Sequence, residues 1–369
     1  MEKTTEKIGI REYVAILLIV MGIKLTDDTP AILVKKLGSA IWMAPLIIGL
    51  ISIIPIYFTI RVVTLYENKN LYDCLLHLFG KFFGNIISFV TALFGFAAVI
   101  IDSGVYVDII VSMYYERSPT VIIYIILISV CAYIAKKGIE QLGTIAWILL
   151  FYIAISIISA LLFSLSDAKL PYLFPIFGPG VLEVLKESAE HISIYADFFY
   201  IALIAPFIVS NKAYKKGALI SLTIVTIALT LSFIVFVAIF DYEGLKMLNY
   251  PYHELIRFVQ LGFLNNVETF FLPFWVVATF IRFAVYFYLL AVFFGRIFNI
   301  KHFEYIIPSL AAITVIIGMA PETPTFTIFF LRDSLLHLLS PMFVLLPLLM
   351  WLMAKLKGDF KNEKTNHTE

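Results

Sequence analysis

The chain has 369 residues, 61% of them hydrophobic and 14% charged, with a net charge of +1 and a mean hydropathy of +0.96. That composition excludes a soluble domain of this size, and the balanced charge, with no basic stripe outside the loop ends, gives no reason to expect nucleic acid as a partner. The two cysteines, Cys74 and Cys131, give neither a disulfide framework nor a metal-ligand spacing.

The first nine residues are polar without a cleavable signal pattern, so the first apolar span is expected to remain. Apolar runs of roughly 20 residues cross about 30 Å of hydrocarbon as helices. Ten are expected, at about 10–37, 41–64, 86–114, 119–135, 142–165, 182–209, 217–240, 267–296, 305–320 and 335–354. The first and sixth are interrupted at their midpoints by polar residues. Two further stretches, 70–83 and 245–262, carry one apolar face each and are expected to lie along the membrane. Leu71, Cys74, Leu75, Leu78, Phe79 and Phe82 form the first of these faces; Leu248, Tyr252, Leu255 and Val259 form the second. The polar tail, 355–369, is expected to be disordered.

Lysine and arginine set the orientation. With ten spans both termini share a side, and placing them in the cytoplasm puts basic residues there by about two to one. The opposite side then holds Lys35, Lys36, Arg117, Lys169, Lys186, Lys246, Arg257 and Arg332. Ten spans divide as five plus five, about 10–165 and 182–354 of a single transmembrane domain, so the two interrupted spans occupy equivalent places with opposite direction. This is the pattern of an inverted repeat whose broken helices meet at a midplane site, the LeuT-like architecture.

In the first span an apolar helix runs from Ile10 to about Gly22 and is followed by Lys24, Thr26, Asp27, Asp28 and Thr29. Asp28 or Thr29 is expected to cap a second helix that has Pro30 at its first position. Such a gap frees backbone carbonyls on one side and amides on the other, and these suit a zwitterion. Alternatively, 22–29 is an external loop, although thirteen residues before it are too few to span. In the sixth span the centre is Ser193, Tyr195, Ala196 and Asp197, with Glu190 and His191 nearer the outer face. Asp197 either serves function or pairs structurally with a neighbouring helix.

Span three carries Asp102 at its middle with Tyr106 one turn on. Span eight carries Arg282 at its middle, with Tyr286 on the same face and Trp275 toward one end. A charge at a helix centre costs roughly 2.5–3.5 kcal/mol on insertion scales, so these groups are expected to face one another or a wet cavity. Arg282 is expected to pair with Asp102 or Asp197, either to bind ligand or to lock helices together. The candidate ligand-binding residues are Gly22, Lys24, Thr26, Asp27, Asp102, Tyr106, Tyr195, Asp197, Trp275 and Arg282. Catalytic patterns are absent: His253-Glu254-Leu255-Ile256-Arg257 lacks the second histidine of a zinc-protease motif, and there is no GxSxG, P-loop or Cys/His cluster. No enzyme activity, cofactor or metal is therefore expected.

Several segments carry a family resemblance: Gly22–Pro30 with Trp42-Met43-Ala44-Pro45, the loop Leu173–Gly180, and Leu264-Asn265-Asn266-Val267-Glu268 leading to Trp275. With the length and span count, they make the chain resemble the B subunits of GerA-type nutrient germinant receptors of spore-forming bacteria. That family is similar to the amino acid–polyamine–organocation transporters. The resemblance implies a nutrient receptor subunit in the spore inner membrane that senses a small germinant, often an amino acid. It also implies an A-type membrane subunit and a C-type lipoprotein as partners, alongside membrane lipid. A secondary transporter of amino acids or related solutes is the alternative. The chain departs from the transporter relatives at the span-one break, where Ile23 and Lys24 follow Gly22 in place of further small residues. Lys24 therefore either contacts an anion or fills the site.

Overall fold

The computed structural model describes residues 7–66, 69–258 and 268–360. Among them the chain is all-helical; a single parallel bridge joins Ile8 to Ile208. Helix α1 (Ile10–Gly22) is apolar on nearly every face and buries Tyr13, Ala15, Ile16, Leu17, Val20 and Met21. It tightens into a 3₁₀ turn, Ile23–Leu25, and α2 (Thr29–Leu37) restarts with Pro30 in its first turn, where a missing N–H costs nothing. The cap differs from expectation: the backbone N–H of Thr29 donates to Asp27 Oδ1 at 2.8 Å, while Asp28 is drawn into an ion pair.

Helix α3 (Met43–Leu65) follows, then α4 (Leu71–Met113), which begins at a capping box of Asn70 and Asp73. The expected surface helix 70–83 and span 86–114 are two limbs of α4 that meet at Gly80, whose φ of 78° favours a residue without Cβ. After α5 (Thr120–Ala135) and α6 (Ile139–Ser164) comes α7 (Val181–Glu190). The sixth expected span then breaks up into a 3₁₀ turn (Ile192–Tyr195), the one-turn helix α8 (Asp197–Tyr200) and a second 3₁₀ stretch (Ile201–Phe207). The bridge to Ile8 ties the end of this segment to the residues just ahead of α1, with Ile8 N–H donating to Phe207 O at 2.8 Å.

Helices α9 (Asn211–Leu245), α10 (Pro251–Phe258), α11 (Glu268–Ile297) and α12 (Ile307–Gly318) follow. Val259 of the expected amphipathic face lies outside the described residues. The last expected span begins earlier than 335: α13 (Pro324–Phe326) runs through a π-helical stretch, Thr327–Arg332, into α14 (Asp333–Leu356). Residues 355–360, expected to be disordered, are packed. Tyr66 donates to Asp359 Oδ2 at 2.5 Å, and the Arg61 guanidinium lies 5.4 Å from the Phe360 ring. The rest of the tail, 361–369, lies outside the described residues.

Among the described residues six helices are long and apolar enough to cross a membrane: Met43–Leu65, Leu71–Met113, Ile139–Asp167, Asn211–Leu245, Glu268–Ile297 and Pro324–Leu356. The remaining expected spans fall on shorter pieces. α11 is the central post, with 83% of its most apolar window buried against 22% for α6. The outer face of α6 exposes Trp147, Ile148, Phe151, Tyr152 and Ile155, an apolar surface that only lipid or another apolar partner can cover. α1 packs on α6, α9 and α11, and the break after α7 packs on α3 and α14. Both interruptions therefore lie inside the bundle, where freed backbone groups are tolerated.

Candidate ligand site at the helix breaks

Each break leaves carbonyls without intrahelical partners, and buried cations take them up. Arg282, on α11 and 1% exposed, donates from Nη1 to Val20 O at 2.8 Å. Lys24 donates to Ile194 O at 2.5 Å and forms an ion pair with Asp197, so one side chain joins the two breaks. Of the two partners expected for Arg282, it takes Asp102, with Nη2 2.5 Å from Oδ2. Its guanidinium also lies 5.6 Å from the ring centres of both Tyr106 and Tyr286, close enough for cation–π attraction.

The centre of the cluster is a residue that the sequence assigned to an outer loop. Arg332 is 3% exposed. Its Nη2 lies 2.7 Å from Asp27 Oδ2 and its Nη1 pairs with Asp28. Its Nε lies 3.5 Å from Asp102 Oδ1 and Nη2 lies 3.3 Å from Thr29 Oγ1. Arg332 ends the π-helical stretch, whose wider turn shifts which residues of the helix face inward. A sequence signal was available: Arg332 directly follows the apolar run Ile328–Leu331, with Leu335 and Leu336 shortly after it, and a charge flanked in this way within a span needs a partner.

A second tier is aromatic. Trp275 Nε1 donates to Thr26 Oγ1 at 2.9 Å, and Thr26 donates to Ile23 O at 2.6 Å, closing the 3₁₀ turn. Trp275 stacks on Tyr106 at 5.4 Å, and the Tyr106 hydroxyl lies 3.5 Å from Asp27 Oδ2. Above them His253 of α10 packs edge-on to Trp275 at 4.7 Å, with Nδ1 2.8 Å from the Tyr114 hydroxyl.

Burial holds the His253 imidazole neutral, pushing its pKa down to about 3 against the opposing pull of the Thr26 backbone. The unfolded chain takes up a proton near pH 6.5, whereas the folded one does not until far lower. The stability contributed by the neutral ring is therefore complete above pH 6.5 and is lost as the pH falls toward 3. Acidifying from pH 7 to 5 is expected to cost about 2 kcal/mol through this residue. Thermal unfolding of the His253→Gln variant in detergent should lack that part of the pH dependence; an unchanged slope would count against a neutral buried ring.

The expected site residues separate into groups. Lys24, Asp102, Asp197 and Arg282 line a cavity of about 100 Å³, joined by Arg332, Ser193, Tyr200 and the α14 side chains Leu336 and Phe343. Thr26, Asp27 and Tyr106 lie behind it, fully buried. Gly22 and Trp275 line a different, almost wholly apolar cavity of about 180 Å³, with Leu18, Leu150 and Tyr252. Tyr195 turns away from both: its hydroxyl meets Thr226 Oγ1 at 3.2 Å. Tyr200 reaches its place in the first cavity because Gly95 has no side chain; a Cβ there would come within 2.6 Å of the tyrosine ring. Gly95→Val is therefore expected to displace Tyr200 and lower the thermal midpoint of the detergent-solubilised protein, and an unchanged midpoint would rule out a need for this close approach.

The long apolar helices and the buried charges define a multi-pass helical membrane protein that keeps ionic groups inside the bundle. The chain belongs to the spore germination protein family, whose model matches residues 11–327. It is 22% identical over 317 residues to spore germination protein YndE of Bacillus subtilis (strain 168), covering 85% of this chain and 86% of that protein. It is 24% identical to spore germination protein KB of the same strain, over 100% and 99% of the two chains. With spore germination protein GerQB of Bacillus cereus the identity is 23%, over 65% and 66%. The kinship with B subunits of GerA-type germinant receptors expected from the sequence is borne out. This is a family of permease-like receptor subunits and not of enzymes.

Proposed function

We propose that this chain is the nutrient-binding subunit of a spore germinant receptor, taking a small amino acid-like molecule in the cavity between the two helix breaks, α4, α11 and α14. The observation that carries this reading is the charge balance of the cluster. Asp27, Asp28, Asp102 and Asp197 face Lys24, Arg282 and Arg332, which leaves one more carboxyl group than there are cations. Asp28 Oδ2 is buried without a hydrogen-bond partner. An uncompensated charge in such surroundings is costly, and a ligand ammonium group offsets it. Asp102 and Asp197 are the acids that face the cavity. A volume of about 100 Å³ is several times the ~10–15 Å³ one water requires, so it suits a compact solute.

The architecture that goes with this reading is ten spans in a five-plus-five inverted repeat, 10–165 and 182–354, with cytoplasmic termini, in the spore inner membrane. The similarity to the amino acid–polyamine–organocation transporters belongs to the same reading. Ligand binding favours one of two packings of the broken helices against the rest. An A-type membrane subunit and a C-type lipoprotein relay the change, and membrane lipid surrounds the bundle.

A thermal-shift screen of amino acids, amines, sugars and nucleosides on the purified protein tests the reading. Small amine-bearing compounds should stabilise the wild type and lose at least tenfold in affinity on Asp102→Asn. Stabilisation by uncharged sugars or nucleosides alone would sink it. Uptake of the same compound into proteoliposomes lacking other subunits would favour a transporter.

A further inference from the structure

Apart from the cluster at the breaks, a second group of titratable side chains gathers where α7 ends and α14 begins. His191 follows α7, at the start of the second break, and is 2% exposed. Asp333 and His337 lie four residues apart on α14, so they share a face. One donor atom from each of the three lies within 4.8 Å of the others.

The hydrogen bonding fixes which nitrogen points where. His191 Nδ1 is 3.0 Å from the backbone carbonyl of Glu187. A carbonyl only accepts, so Nδ1 carries the proton and Nε2 of the neutral ring presents a lone pair. That lone pair faces Asp333 Oδ1 at 2.9 Å, another acceptor. Either a proton or a metal cation must lie between them. His337 repeats the arrangement: its Nε2 lies 3.7 Å from the same Asp333 oxygen, and its Nδ1 faces Glu190 Oε2 at 3.9 Å. His191 thus holds Nδ1 on an outer carbonyl and turns Nε2 to the carboxylate, as metal-bound histidines are oriented, and His337 turns Nε2 toward the same oxygen. Of the other charges here, Glu187 Oε2 lies 3.7 Å from His191 Nδ1. Lys36 Nζ lies 3.0 Å from Glu187 Oε1, and Lys186 reaches Glu183 and Glu190 at 4.0 Å.

We infer that His191, Asp333 and His337 form a binding site for a divalent transition-metal ion, with zinc the best match. Two imidazole nitrogens and one carboxylate oxygen are the donors zinc favours, and three protein ligands leave a fourth position for water. Asp333 directly follows Arg332, the residue that gathers Asp27, Asp28 and Asp102. A metal here fastens the entry to the second break to the helix that anchors the charge cluster, and so opposes any movement of α7 against α14. The site stands independently of which nutrient the cavity takes.

Zinc chloride titrated into the full-length purified protein against a chromogenic chelator tests the inference. One equivalent should bind, with affinity at least tenfold weaker in Asp333→Asn and His337→Ala. His337 is one-third exposed, so its replacement leaves the fold intact. Cobalt substituted for zinc should give the visible absorption of a four-coordinate ion, lost in His337→Ala. Zinc should also raise the melting temperature of the wild type and leave that of His337→Ala unchanged. Substoichiometric binding, or binding equal in wild type and His337→Ala, would overturn the assignment and leave a protonated His191 as the bridging cation.

Discussion

Replacing Arg332 by methionine is expected to destabilise the protein by about 3–5 kcal/mol, the usual cost of removing one partner from a buried ion pair. Arg332 contacts Asp27, Asp28 and Asp102, so its loss leaves four carboxylates against Lys24 and Arg282. The expected result is a large fall in the thermal midpoint of the detergent-solubilised protein, or failure to accumulate in the membrane. A second substitution separates charge from packing. Arg332→Met combined with Asp28→Asn should recover part of the loss, because it removes the acid that has the fewest other partners. A double variant no better than the single one would mean that guanidinium packing, and not charge, sets the cost. A change below about 1 kcal/mol in the single variant, the range of solvent-exposed pairs, would contradict a buried bridge.

Lys24 carries the second large effect. Its ammonium holds both Ile194 O and Asp197, joining the first break to the second. Lys24→Ala should cost about 3–5 kcal/mol for the same reason, and it also removes a link between the two breaks. The vacated space retains a carboxylate and a free carbonyl, which together suit a small ammonium ion. Methylamine or ethylamine at millimolar concentration is therefore expected to raise the melting temperature of Lys24→Ala and not that of the wild type. Lys24→Met, which fills the volume without the charge, should show no such rescue. Equal stabilisation of all three proteins by amines would mean that the amine acts elsewhere.

Both predictions concern one arrangement, in which cations hold together backbone that the helix breaks have released. The cluster is a poor source of stability in itself, because desolvating seven charges offsets most of their attraction. Its value lies in specificity: a ligand that competes for one carboxylate changes the balance of the whole. That property suits a receptor subunit, which must convert a small binding energy into a change of packing.

Much of this was legible in the sequence. Membrane character, the two interrupted spans and the list of in-span charges follow from local composition, because a bilayer penalises each polar residue wherever the chain places it. The sequence therefore named Lys24, Asp27, Asp102, Asp197 and Arg282, and narrowed Arg282 to two partners. It left out Arg332, because hydropathy near the end of a span does not measure depth, and the π-helical stretch that ends at this buried residue is not visible in it. It grouped Tyr195 with Asp197, whereas the 3₁₀ turn sends the tyrosine toward Thr226. His191, Asp333 and His337 are separated by up to 146 positions of chain, and no pattern in the sequence joins them. Which residues must find partners is a local matter of solvation, fixed by the order of amino acids; which partners they find depends on how distant helices pack, and only the tertiary structure decides it.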